Sequence, residues 1–160
     1  MRRFLVFMAV VFGCAVIAFP LGAQDTLKIG APQPMTGPDA PFGSKFKKAY
    51  DMALEEINAA GGVQGKKLEV IIEDHQAKNP LAATVAEKLI NQYKVLVLTG
   101  GRASGQAVEI ASVAQRLKTP YVVDHPSADI ITSKGFEWVF RNNPTGSIYP
   151  QGFNKFISEV

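Results

Sequence analysis

This chain has little of the equipment that metal sites, disulfide scaffolds and nucleic-acid binders are built from. Its 160 residues include one cysteine, two histidines and one tryptophan. Cys14 lies in an apolar stretch near the start, so beyond it no disulfide and no thiolate zinc site can form, and an oxidising compartment is neither required nor harmful. His75 and His125 lack the H-x-x-x-H type of spacing that puts two imidazoles on one helix face. Charge of one sign is also scarce. Without Arg2 and Arg3, 15 basic residues face 14 acidic ones, which removes the clustered basic surface that nucleic-acid binding needs. Gly100 and Gly105 have the spacing of a phosphate loop, but Gln106 stands where its lysine belongs. Ser104 is flanked at two residues by Arg102 and Gln106, not by the glycines of a nucleophile elbow. No G-x-G-x-x-G follows the first strand, so dinucleotide binding has no anchor. There is no internal repeat and no low-complexity tract.

What is present begins with a targeting layout. Arg2 and Arg3 precede the apolar run Phe4 to Phe19, and Leu21-Gly22-Ala23 supplies small residues before Gln24. Residues 1–23 therefore read as a cleavable secretory signal, with Cys14 part of it and not a lipid-modified start. The competing reading is an uncleaved anchor, for which the run is somewhat short of the about twenty apolar residues a span needs.

The remainder suits one α/β domain with a real core. Leu27-Lys28-Ile29-Gly30-Ala31 reads as a strand, Pro34-Met35-Thr36-Gly37-Pro38 as a turn, and residues 43–60 as a helix with Phe46, Tyr50, Met52, Ala53 and Ile57 inward. Gly61-Gly62 supplies the positive φ that ends it, and a second strand follows over 67–73. Asn79-Pro80 reads as N-cap and first helical residue of a second helix, with Leu81, Val85, Leu89 and Ile90 or Tyr93 inward. Val95 to Thr99 is a continuous apolar run, expected as a central parallel strand covered on both faces. A third helix carries Val108, Ala111, Val113, Ala114 and Leu117. Tyr121-Val122-Val123 and Trp138-Val139-Phe140 are the last strands, and 142–146 has linker chemistry. Strand, helix and strand in this alternation predict a doubly wound, mostly parallel sheet with helices on both faces and a site at the strand C-terminal ends, in loops 32–43, 74–80, 100–104 and 124–129.

The wording of the first unit is more specific than its pattern. Leu27-Lys28-Ile29-Gly30, then Pro34-Met35-Thr36-Gly37-Pro38-Asp39-Ala40, then Ile57-Asn58-Ala59-Ala60-Gly61-Gly62-Val63-Gln64-Gly65-Lys66, then Glu73-Asp74 resemble the start of mature periplasmic solute-binding proteins of the branched-chain amino acid transport type. The resemblance implies a type I binding-protein lobe at 24–141, with 142–160 crossing into a second, truncated lobe. It implies a small amino acid or other carboxylate-bearing solute held between two lobes, delivery to the membrane subunits of an ABC-type importer in the periplasm, no catalysed reaction, no cofactor and no nucleic-acid partner.

Ser104 is the first candidate site residue. At a strand-to-helix junction in N-cap position, its hydroxyl and the free helical N–H groups could hold a carboxylate. By the resemblance, the serine of Gly100-Gly101-Arg102-Ala103-Ser104 binds the ligand carboxylate, although Gly101 and Arg102 replace a commoner proline and an uncharged residue. His125-Pro126-Ser127-Ala128 matches the stretch that holds an amino acid's amino group and backbone. Ser127 keeps the hydroxyl, while His125 and Pro126 depart from small residues. Phe42 matches an aromatic that covers the ligand, or serves as a hydrophobic staple for the first helix. Arg102 either pairs with an acidic ligand group or lies in solvent against Asp129 or Glu109. Two readings from other classes compete. One is a secreted hydrolase or metal enzyme using Ser104 or the pairs Asp74-His75 and Asp124-His125, which both follow strands and could approach one another. The other is the ligand-sensing domain of a receptor.

Overall fold

The computed structural model describes residues 26–159; the signal expected at 1–23 lies outside the described residues. Strands and helices alternate as β1 (Leu27–Gln33), α1 (Ala40–Ala59), β2 (Leu68–Asp74), α2 (Asn79–Asn91), β3 (Val97–Thr99), α3 (Ser104–Arg116), β4 (Tyr121–Val123), a 3₁₀ turn (Asp129–Ile131), β5 (Val139–Arg141) and α4 (Tyr149–Glu159). The five strands form one parallel sheet in the order β2-β1-β3-β4-β5. The chain leaves β1 in one direction for β2 and returns past β1 to β3. Right-handed crossovers in opposite directions put α1 on one face and α2 and α3 on the other, where they pack on β1, β2, β4 and β5.

The core lies on the α2/α3 side. Leu89, Leu98, Ile110, Tyr121 and Val123 are fully buried there, and each such large side chain contributes about 1.5–3 kcal/mol. The buried stripe of α2 is Ala82, Val85, Ala86 and Leu89, with Leu81 and Ile90 only half-buried. Small residues prevail because α2 packs on the sheet and α3 together; a Cβ at Gly105 of α3 would stand 2.5 Å from the Asn79 side chain. Ala107 and Ile110 of α3 are buried beside the expected Ala111, Val113 and Ala114. An ion pair ties α2 to β2, with the Glu73 carboxylate accepting from Lys88 Nζ at 2.7 Å and from the Tyr93 hydroxyl at 2.8 Å.

Several boundaries and faces differ from the sequence reading. The first helix starts three residues earlier, capped from Asp39 with Pro41 in its first turn, where a missing N–H costs nothing. Its inward stripe is Gly43, Phe46, Tyr50, Leu54 and Asn58; Met52, 71 % exposed, and Ala53 face outward. Asn58 takes the place of an apolar contact by pairing with the Leu68 backbone in both directions, at 2.9 and 2.8 Å. Gly43 lets the helix start rest on the turn after β1, where a Cβ would come within 2.2 Å of the Pro34 carbonyl oxygen. Gly61 and Gly62 have positive φ, as expected. Lys78, not Asn79, is the N-cap of α2. β3 is shorter than the apolar run, and Leu96 is 58 % exposed, so cover on both faces does not extend along it. Every residue of α4 is exposed.

His75 follows β2 with its ring fully buried and neither ring nitrogen partnered. Burial holds its pKa below the ordinary imidazole value, with the carboxylates of Asp74 and Asp39 pulling weakly the other way. The fold thus favours neutral His75. The stability this gives is complete above about pH 6.5 and is lost as pH falls from there through the lower folded value. His75→Leu removes two unpaired nitrogens at similar volume and should be at least as stable as the parent at neutral pH. Melting temperatures recorded from about pH 7.5 down to about pH 5 should show the parent losing stability relative to the variant below about pH 6.5; parallel curves would exclude a buried neutral imidazole.

Candidate functional site

Because the sheet is parallel, all strand C-terminal ends share one edge, and the chain there belongs to the turns after β1, β2, β3 and β4. The turn after β1 is pinned by Asp74 at the end of β2. Its Oδ1 accepts the backbone N–H of Met35 at 2.9 Å and of Gln76 at 2.8 Å, and its Oδ2 accepts the Thr36 hydroxyl. Burial pushes the Asp74 pKa up, but these hydrogen bonds together hold it below the ordinary carboxylate value. The turn after β3 opens with Gly100 at φ +103, where a Cβ would meet Pro32 O and Gln33 Nε2, both at 2.8 Å. Gly101 follows at φ +81, a conformation closed to the proline that the resemblance would place there.

Six of the seven residues singled out from sequence meet through a short chain of contacts. Arg102 lays its guanidinium 3.9 Å from the centre of the Phe42 ring. The Arg102 carbonyl oxygen lies 3.1 Å from Nδ1 of His125, so that nitrogen carries the proton and donates. The His125 ring meets Phe46 edge-on at 5.6 Å. Ser104 Oγ accepts the Ala128 N–H at 3.3 Å, joining the turn after β3 to the turn after β4. Ala103, not Ser104, is the N-cap, and its own N–H donates to Gln106 Oε1 at 2.8 Å. This correction frees the Ser104 hydroxyl from capping its own helix. Pro126 is buried with its carbonyl held by neighbouring side chains, and the Ser127 carbonyl accepts the Gly146 N–H at 2.6 Å. Phe42 sits in the first turn of α1, three residues past its N-cap, so it occupies neither a loop nor a staple position. Arg102 makes no ion pair with Asp129 or Glu109; Asp129 accepts the Ser147 N–H instead.

Two sets of residues escaped the sequence reading. Gln33 Nε2 donates to the Tyr50 hydroxyl at 2.8 Å, and that hydroxyl donates to Asp124 Oδ2 at 3.3 Å, an oxygen that also lies 3.4 Å from the Thr99 hydroxyl. Gln33 Oε1 and Asp124 Oδ1 are buried without partners. Burial pushes up both the Tyr50 phenol and the Asp124 carboxyl, and the Asp124 charge beside it raises the phenol further. The second set is Arg141 at the end of β5, which donates to the carbonyls of Pro126 and Ala128 and to the Thr132 hydroxyl. Asn143 adds bonds to the His125 and Pro126 carbonyls, so the expected linker is fastened to the turn after β4. A glutamine in a strand and an arginine after an apolar pair carry no pattern that separates them from surface residues. The pairs Asp74-His75 and Asp124-His125 do not come together. β1 and β3 stand between their strands, a separation of about 14 Å at ordinary strand spacing, and among the described residues no three metal-ligating side chains converge.

Residues 26–159 match the family described as periplasmic binding protein. The chain belongs to that family. This binding-protein lobe is 34 % identical over 160 residues to a Leu/Ile/Val-binding protein homolog of Brucella melitensis, covering all of this chain and 38 % of that protein. It is similar to the branched-chain amino acid transporter substrate-binding protein of Streptococcus pneumoniae in complex with isoleucine. There the identity is 31 % and the TM-score 0.71, over 76 % of this chain and 34 % of that one. A solute-binding protein of an ABC transporter from Rhodopseudomonas palustris, in complex with 3,4-dihydroxybenzoic acid, is 31 % identical with TM-score 0.68, over 75 % of this chain and 32 % of that one. The lobe thus spans well under half the length of each.

The Arg141 contacts place the turn after β4 under one side chain's control. Arg141→Ala should cost about 2 kcal/mol in denaturant unfolding, since hydrogen bonds from a charged donor are lost at half-buried carbonyls. Hydrogen exchange should quicken at Gly146 and Thr132, whose N–H groups bond within this region. Unchanged exchange at both would assign Arg141 no part in holding the turn.

Proposed function

We propose that this chain is one lobe of the solute-binding component of an ABC-type importer, exported to the periplasm by a signal at residues 1–23. Its strand-end turns take the carboxylate of a small amino acid or related acid. The observation that carries the reading is the Ser104 hydroxyl bridging to Ala128 at the start of α3. That contact assembles a hydroxyl, the free N–H groups of a helix start and the turn after β4 into one anion-receiving corner. Ser104, Ser127 and the Arg102–Phe42 stack are the proposed ligand contacts, and membrane subunits of the importer are the proposed partners. Relatives whose names describe binding of leucine, isoleucine and valine, and a neighbour solved with a dihydroxybenzoic acid, support a carboxylate as the shared feature.

A hydrolase reading finds less support. A serine nucleophile needs a base within about 3 Å, whereas Ser104 Oγ accepts from a backbone N–H and His125 Nδ1 faces the Arg102 carbonyl. Trapping by closure of two lobes is the proposed mode of binding, and a single lobe leaves its contacts open to water, where polar interactions are weak. Titrating the purified chain with amino acids and aromatic acids under nuclear magnetic resonance should shift the amides of Ser104 and Ser127. The apparent Kd should be about 1 mM or weaker. No acid shifting these amides, or shifts confined to the shallow depression at Lys78, Pro80, Leu81 and Thr84, would refute the site.

A further inference from the structure

Arg102 carries the charge in this site that nothing answers. Among the described residues its guanidinium has no carboxylate partner, and its Nε is buried without a hydrogen bond. The Phe42 ring holds it in place at 3.9 Å, and Lys45 Nζ lies 5.8 Å from the centre of the same ring. Two cations therefore share one aromatic face beside the Ser104 corner. The carboxylates nearby are turned to other work. Asp124 lies half-buried on the Tyr50 and Thr99 hydroxyls, and Asp129 accepts from the Ser147 backbone. No described carboxylate at this edge stands free to receive an ammonium group.

On the reading that these turns bind a carboxylate, we propose that Arg102 selects the solute, and that the solute is a small aromatic acid without an ammonium group. An arginine whose stem is already stacked and half-buried has lost most of its side-chain freedom before the ligand arrives, so its two-pronged donor face is preorganised for a carboxylate. A zwitterionic amino acid brings a positive charge into the same field and gains correspondingly less. Flat surfaces complete the match: the rings of Phe42, Phe46 and His125 line the approach to Arg102, with Phe46 and His125 edge to face. Rings pair favourably in such offset and edge-on arrangements. With Nδ1 donating to the Arg102 carbonyl, neutral His125 keeps Nε2 as an acceptor for a ring hydroxyl.

The test is a resonance-monitored titration of the purified chain with benzoate, its neutral isostere benzamide, succinate and leucine. Benzoate should bind about tenfold more tightly than benzamide or leucine, shifting the Arg102 Nε–H signal together with the Ser104 and Ser127 amides. In Arg102→Gln the benzoate-to-benzamide ratio should fall to about one, and Arg102→Lys should restore part of it. A dispersed amide spectrum of each variant establishes that it folds. Leucine binding more tightly than benzoate at Ser104 and Ser127 would overturn the selectivity and leave the binding site standing. Succinate binding more tightly than benzoate would overturn the aromatic preference. No response to any of the four would overturn the inference and the site together, and a benzoate-to-benzamide ratio unchanged in Arg102→Gln would remove Arg102 from recognition.

Discussion

Three side chains of α1, spaced four residues apart, dock on the turns after β3 and β4, and the geometry of the candidate site depends on them. Phe42 meets Arg102, Phe46 meets His125, and Tyr50 meets Asp124. Spacing of four places all three on one helical face, so fixing the helix fixes the turns. The innermost contact is the most constrained. Tyr50 accepts from Gln33 and donates to Asp124, in a setting dry enough to push both the phenol and the carboxyl up. Leaving Gln33 Oε1 and Asp124 Oδ1 unpartnered costs free energy, of the order of 1–3 kcal/mol for a buried polar group. Such a cost falls where the fold holds a geometry that apolar packing would not specify.

The two faces of the sheet divide the work. On the α2/α3 side, close-packed alanine, valine and leucine supply the stability. On the α1 side the strand ends carry polar residues, Gln33, Thr99 and Asp124, which position instead of merely burying. From the far edge, Arg141 grips the carbonyls of Pro126 and Ala128, so the turn after β4 is held between α1 and β5. What remains presented is a hydroxyl at Ser104, a stacked guanidinium at Arg102 and an imidazole at His125. That set is suited to binding an anion and holds no nucleophile–base pair.

The sequence disclosed the alternation of strands and helices because hydrophobic periodicity and the Gly61-Gly62 stop are local signals. It also marked the turns that matter, since a parallel sheet leaves only one edge for a site. The side-chain partnerships were less visible. Ser104 looked like a cap because serine before a helical stripe usually is one; the fold gives that place to Ala103 and turns the hydroxyl toward Ala128. Met52 looked inward because its neighbours are apolar, whereas the helix rotates to bury Tyr50 and Asn58, whose polar tips have partners on the sheet. The Asp-His pairs looked able to meet because sequence does not reveal that the chain reverses direction after β2 and leaves two strands between them.

The claim that Tyr50 and Asp124 act as one unit is open to a double-mutant cycle. Tyr50→Phe, Asp124→Asn and the double variant would each be unfolded in denaturant beside the parent chain. If the pair is coupled as the geometry requires, the two single losses exceed or fall short of the double loss by about 1 kcal/mol or more. Losses that add to within about 0.3 kcal/mol would mean that α1 and the turn after β4 are held independently, and the account would fail.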